Sequence, residues 1–128
     1  MPIEFTIDPA RNRIFTRARG RVQGHELVDY YRRLRAQVDF HADLDEVFDL
    51  TDASALDVTA NDVRELSDVT LPFTRGGNPV NVAIVAPRDL EFGMSRMYEM
   101  LQAKSVNIVR VFRDRVDAEA WIEAHRDD

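Results

Sequence analysis

Four carboxylates crowd one short stretch of the chain: Asp49, Asp52, Asp57 and Asp62. Oxygen ligands of this kind suit a hard cation, and paired acids can also do general acid–base work. An Asp-x-Asp pair needs its second acid two places after the first, whereas Asp49 and Asp52 are three apart. The other metal-binding and nucleophilic types are sparse. The chain has no Cys, which removes a thiol nucleophile, a disulfide framework and Cys-ligated zinc. His25, His41 and His125 are scattered, and none stands three or four places from another His. No metal and no cofactor is therefore expected, and no Ser-His-Asp arrangement can be argued from spacing. A hydrolase built on Asp49 and Asp52 stays as an alternative, against capping and solubility roles for the same acids.

Three further groups could bind rather than react. Thr59 precedes a helix-like stretch, with Asp62 three residues on. Its hydroxyl can cap that helix, or accept a phosphate that free N–H groups and the helix dipole would favour. Phe92, Met94, Met97, Met100 and Tyr98 share a second helical stretch. Met adapts to varied apolar partners, and an aromatic beside Gly93 suits a ligand mouth or a subunit contact. Arg88 and Arg96 flank the same stretch and could contact an anion; Arg17, Arg19 and Arg21 fall on one side of a strand and read as a solvated basic stripe. The run Arg75-Gly76-Gly77-Asn78-Pro79 lacks the Gly-Lys-Ser/Thr ending of a phosphate loop and precedes a strand.

Composition limits the setting of this chemistry. The 128 residues carry a net charge of −6, with 45% hydrophobic and 31% charged residues. This describes one folded domain, residues 1–128, able to build a core without staples. An acidic chain lacks the basic footprint of a general nucleic-acid surface. Sixteen of the 17 basic residues are Arg. Acid gathers between Asp39 and Asp68 and Arg in the first third of the chain, so a dipolar surface is expected. No stretch approaches the ~20 apolar residues of a membrane helix. Met1 to Phe5 lack a secretory pattern, and the expected location is the cytoplasm, without membrane insertion.

The elements that must position these residues follow from periodicity. Ile3, Phe5 and Ile7 alternate with polar residues, Asp8 to Asn12 is turn chemistry, and Arg13 to Ala18 is a second strand that Gly20 breaks. Leu27, Tyr31, Leu34 and Val38 give a helical stripe over Glu26 to Val38. Val47 to Leu50 reads as a short buried strand, Thr51 to Thr59 as a loop, and Thr59 to Leu71 as a helix. Pro72 to Pro79 reads as a loop and Val80 to Ala86 as a central strand. Leu90 to Lys104 is a helix with inner stripe Leu90, Met94, Met97 and Leu101, and Phe92 points nearly away from that stripe. Val106 to Phe112 is the last strand, and Asp114 caps a final helix with stripe Ala118, Trp121, Ile122 and His125. The order β-β-α-β-α-β-α-β-α means a single α/β domain with a mostly parallel five-stranded sheet after an opening hairpin. Sites on such sheets gather beyond the carboxyl ends of the parallel strands. A response-regulator pattern also ends its third parallel strand in Asp, but needs a Lys after the last strand, where this chain has Arg113.

This order resembles the STAS-type domain of anti-sigma-factor antagonists, and more closely the SpoIIAA-like branch of the STAS/SEC14-like superfamily. The resemblance rests on Gly20 after the hairpin, on Val47-Phe48-Asp49-Leu50, on Phe92 to Glu99, and on Val111 to Ile122. It implies a non-enzymatic bacterial binding or regulatory module that recognises an apolar or amphipathic small ligand, or a partner protein. In the antagonists a Ser within Asp-Ser-Ser-Gly is phosphorylated. The corresponding stretch here, Asp57-Val58-Thr59-Ala60, puts Thr59 at the switch position, with Val58 and Ala60 departing from the pattern. A phospho-switched antagonist using Thr59 is thus the main alternative. The expected ligand or partner surface combines Asp52, Asp57, Phe92, Met94, Met97 and Tyr98, with Arg88 and Arg96 as anion contacts. Apolar residues on more than one side of the third helix suggest a homodimer.

Overall fold

A computed structural model describes residues 2–41, 43–70, 80–103 and 107–125, without the side chains of residues 69 and 70. The expected loop Pro72 to Pro79 lies outside the described residues. Five strands and four α-helices follow the expected order. They are β1 (Ile3–Asp8), β2 (Arg13–Gln23), α1 (Gly24–Arg35), β3 (Asp45–Asp57), α2 (Ala60–Thr70), β4 (Asn81–Val85), α3 (Asp89–Leu101), β5 (Ile108–Phe112) and α4 (Arg115–His125). A short 3-10 turn, Pro9–Arg11, joins β1 to β2. The sheet is mixed: β1 and β2 are antiparallel, and the other pairings are parallel. The strands lie side by side in chain order.

That order decides the layers. Each parallel crossover steps in the same direction, and right-handed crossovers of one direction leave their helices on one face. Helices α1, α2 and α3 accordingly pack onto Ile14, Phe48, Val82 and Ile84, while α4 alone packs Ala118 and Ile122 onto Val47, Ala83 and Val85. The period-two alternation of each strand sorts its residues between these two cores.

Two strands run further than periodicity predicts. Gly20 does not end β2. It takes φ +64, a conformation costly for other residues, at a register shift against β3. The strand bends there and continues to Gln23. Its partner β3 continues through the expected loop to Asp57, because Val22, Ala53 and Leu56 still have a core to enter. The loop between β3 and α2 shrinks to Val58 and Thr59. This ribbon also interleaves the charges. Arg17 meets Asp52 at 3.7 Å and Arg21 pairs with Asp57, so parallel pairing sets the basic segment beside the acidic one. The segregation read along the chain is thereby partly cancelled in space.

Helix α1 stops at Arg35, and Val38, expected on its stripe, is 99% exposed. Its buried side includes Tyr30, which the stripe omitted. Helix α3 is rotated relative to expectation. Leu90 and Leu101 are exposed, and the buried positions are Glu91, Ser95 and Tyr98, continued by Gln102. Apolar periodicity misses this side because polar residues fill it with partners: Glu91 pairs with Arg88 at 2.8 Å, and Gln102 donates to Ser67 Oγ at 2.8 Å.

The starts of α1 and α2 touch. A Cβ on Gly24 would lie 2.4 Å from Asp62 Cγ. Asp62 has nowhere to retreat without cost, since its carboxylate accepts the Thr59 N–H at 2.9 Å and its own N–H donates to Thr59 Oγ1 at 3.1 Å. This reciprocal box satisfies two helix-start donors. Gly24→Ala should therefore cost about 1–3 kcal/mol through overpacking and loss of the cap. Urea unfolding measures it, and a variant as stable as the parent would show that the contact is slack.

Candidate functional site

One row of residues crosses all five strands on the three-helix face: Ile7, Ile14, Glu46, Val82 and Val109. Glu46 is its only polar member, and it is 4% exposed. A carboxyl group there must be hydrogen-bonded or lose its charge. Helix α1 supplies the bonds. Tyr30 donates to Glu46 Oε2, and Tyr31 donates to Oε1 at 3.0 Å. Thr16, on β2, lies 2.6 Å from the Tyr30 oxygen and completes a chain Thr16–Tyr30–Glu46. The Tyr30 ring is fixed edge-on by Phe5 and Phe48, with centroids at 5.7 and 5.5 Å.

Burial pushes the Glu46 carboxyl above its ordinary value, and the two tyrosine hydroxyls pull it partly back. Burial also holds both phenols well above theirs, with the Glu46 charge as the next cause.

The cluster borders empty space. A cavity of about 60 Å³ lies between this sheet face and the three helices and opens on one side. Leu27 and Tyr31 wall it from α1, Val63 and Leu66 from α2, and Met94, Ser95 and Tyr98 from α3. Glu46, Phe48, Leu50, Leu56, Val82 and Ile84 form its floor, and Val58 lines the rim. A second hollow of about 50 Å³ lies toward Leu34, Phe40, Leu44 and Val80. Tyr31, Glu46, Val82 and Tyr98 border both hollows. A larger hollow of about 190 Å³ beside Pro2, His25, Asp29 and Arg33 is walled mainly by polar and charged side chains.

The structure gathers some of the expected surface residues and separates others. Met94 and Tyr98 line the cavity. Met97 packs against the same core without lining it, as does Phe92. Phe92 is half-buried, with the Arg113 guanidinium 4.0 Å over its ring. Asp52 and Asp57 face Arg17 and Arg21 on the β2–β3 ribbon, away from the cavity lining. Arg88 pairs with Glu91, and Arg96 with Glu99 at 2.5 Å, so both arginines have internal counter-charges. The Thr59 hydroxyl is exposed and accepts the Asp62 N–H. A phosphate there would stand beside the Asp62 carboxylate. Asp49 is buried and accepts the N–H of Thr51 at 2.8 Å. Among the described residues no three His, Asp or Glu side chains converge as metal ligands would.

Sequence reasoning missed Glu46, Tyr30, Tyr31 and Thr16 as a unit. The expected buried strand, Val47 to Leu50, begins one residue after Glu46. Alternation through Phe48 and Leu50 carries the signal, since it puts Glu46 on their face.

No family model matches the chain, and no curated protein does. A search of solved structures finds an uncharacterized protein of the DUF3478 family from Shewanella loihica PV-4, described as having a SpoIIAA-like fold. It is 15% identical over 94% of this chain and 93% of its own, with a TM-score of 0.57. The chain is thus a single-domain α/β protein of SpoIIAA-like fold, in agreement with the element order read from its sequence. No helix among the described residues is long and apolar enough to cross a membrane.

The raised Glu46 value makes stability depend on pH. The folded chain keeps the Glu46 proton at pH values where the unfolded chain, titrating near 4.5, has lost it. This contribution is complete below about pH 4.5 and is lost as pH rises through the folded value. Glu46→Gln cannot titrate. The stability of the parent relative to Glu46→Gln should therefore fall as pH rises above about 4.5 in urea unfolding. Parallel pH profiles would show that the carboxyl is well solvated.

Proposed function

We propose that this protein is a non-catalytic binding module, and that the cavity under α2 is where a small ligand with an apolar body binds. The carrying observation is the cavity itself: ten of its fourteen lining residues are apolar, and the four others supply polar groups. Ligand sites of this make-up pair an apolar wall with few orienting polar groups. The volume of about 60 Å³ admits a short chain or the end of a longer one, with the remainder leaving through the open side. The SpoIIAA-like fold is consistent with a STAS-type binding or regulatory role.

A graded series of linear alcohols tests the reading by NMR titration. Each methylene buried contributes about 0.8 kcal/mol, so affinity should rise about fourfold per carbon until the cavity is full. Val63→Phe projects a ring into the space from α2 and should abolish binding while leaving the protein folded. Non-saturating shifts spread over the surface would overturn the proposal.

Self-association is a separate proposal. Leu90, Met100 and Leu101 of α3 and Ile108 of β5 expose apolar surface that a two-fold partner would cover. Light scattering at micromolar concentration should give the dimer mass; the mass of one chain at all concentrations would dispose of it.

A further inference from the structure

We infer that Glu46 is the anchor for a protonated amine, so that the cavity selects small ligands with an amino group on an apolar body. This rests on the reading of the cavity as a ligand site and names the ligand class.

The position of the carboxyl carries the argument. Glu46 borders both internal hollows, and among the described residues lining them there is no Lys, Arg or His. Among the described residues it forms no ion pair. Tyr30 and Tyr31 meet its hydrogen-bonding needs but bring no charge. Each oxygen accepts one bond, and a carboxylate has about four acceptor sites. Capacity to accept from a further donor therefore remains beside the cavity.

The fold itself does not call for an acid here. An aliphatic residue would continue the row of Ile14, Val82 and Val109. Replacing buried charges by apolar side chains is often neutral or stabilising. The two tyrosines hold the carboxyl in a set orientation before any ligand arrives. An ammonium group then supplies the missing counter-charge and N–H donors, while its carbon chain lies along Leu27, Val63 and Met94. An alcohol satisfies only the hydrogen bond, and a carboxylate ligand would meet a like charge. Burial raises the proton affinity of Glu46, as expected of an acid without a cationic neighbour.

The test compares hexylamine, hexanol and hexanoate at neutral pH by NMR titration, with hexanol competition to identify the shared site. The amine should bind at least about tenfold more tightly than the alcohol, a difference of about 1.4 kcal/mol. Hexanoate should bind weakest. In Glu46→Gln the alcohol should still bind and the advantage of the amine should vanish. If this variant does not fold, Tyr31→Phe replaces it. Removing one hydroxyl donor leaves the carboxylate less satisfied and should widen the preference for the amine severalfold. Failure of all three probes to bind overturns the cavity reading along with this one. Binding of hexanol without a preference for hexylamine, a preference that survives Glu46→Gln, or one unchanged by Tyr31→Phe overturns the amine assignment alone.

Discussion

An acid in the middle of an apolar sheet face sets conditions on everything around it. The carboxyl of Glu46 needs donors, and the donors must come from the helix layer, because its sheet neighbours Ile14 and Val82 have only apolar side chains. Helix α1 meets the need with adjacent tyrosines that reach the two oxygens from above. For both to reach, Tyr30 must be fully enclosed and Tyr31 must lean over the row, which draws Thr16, Phe5 and Phe48 into fixed places. Polar groups of this kind are stable only when the network is complete. The hollows on either side follow from the same demand: aromatic rings directed at one polar centre do not also fill the corners around it.

The remaining polar burial follows a different logic. Arg13 reaches Glu123 at 2.8 Å, Asp45 accepts the Asn81 N–H at 2.8 Å, and Asn81 donates to the His125 carbonyl at 3.3 Å. The first and third of these bonds tie α4 to the starts of β2 and β4, and the second ties β4 to β3, beside the packed residues Ala83, Val85, Ala118 and Ile122. The two faces of the sheet thus differ in kind. One carries a small apolar cluster under α4 with polar ties at its margin, and the other a three-helix layer around a polar centre.

Much of this architecture was legible in the sequence. Strand periodicity in Ile3–Ile7, helix-start chemistry at Thr59 and Asp114, and the apolar strand around Val82 are local signals, and local structure obeys them. The extent of β2 and β3 was not legible, because strand length there is set by what the partner strand and helices offer, not by residues 51–57 themselves. The rotation of α3 escaped for a related reason. Glu91 and Gln102 look exposed until Arg88 and Ser67 are seen beside them. Of the site, Met94 and Tyr98 were read from the helix. Glu46 stands just before the expected strand Val47 to Leu50, and nothing local tells it from a solvated acid until Tyr30 and Tyr31 are seen above it.

The arrangement of strands in chain order also bears on how the molecule forms. No strand has to insert between two that are already paired. The hairpin of β1 and β2 closes through a short turn, and each later strand then adds to the free edge left by the one before it. Assembly can therefore advance with the growing chain as it leaves the ribosome, paying the entropy of one crossover at a time. Because α1 precedes β3 in the chain, both tyrosine donors are already synthesised when the acid they will hold emerges.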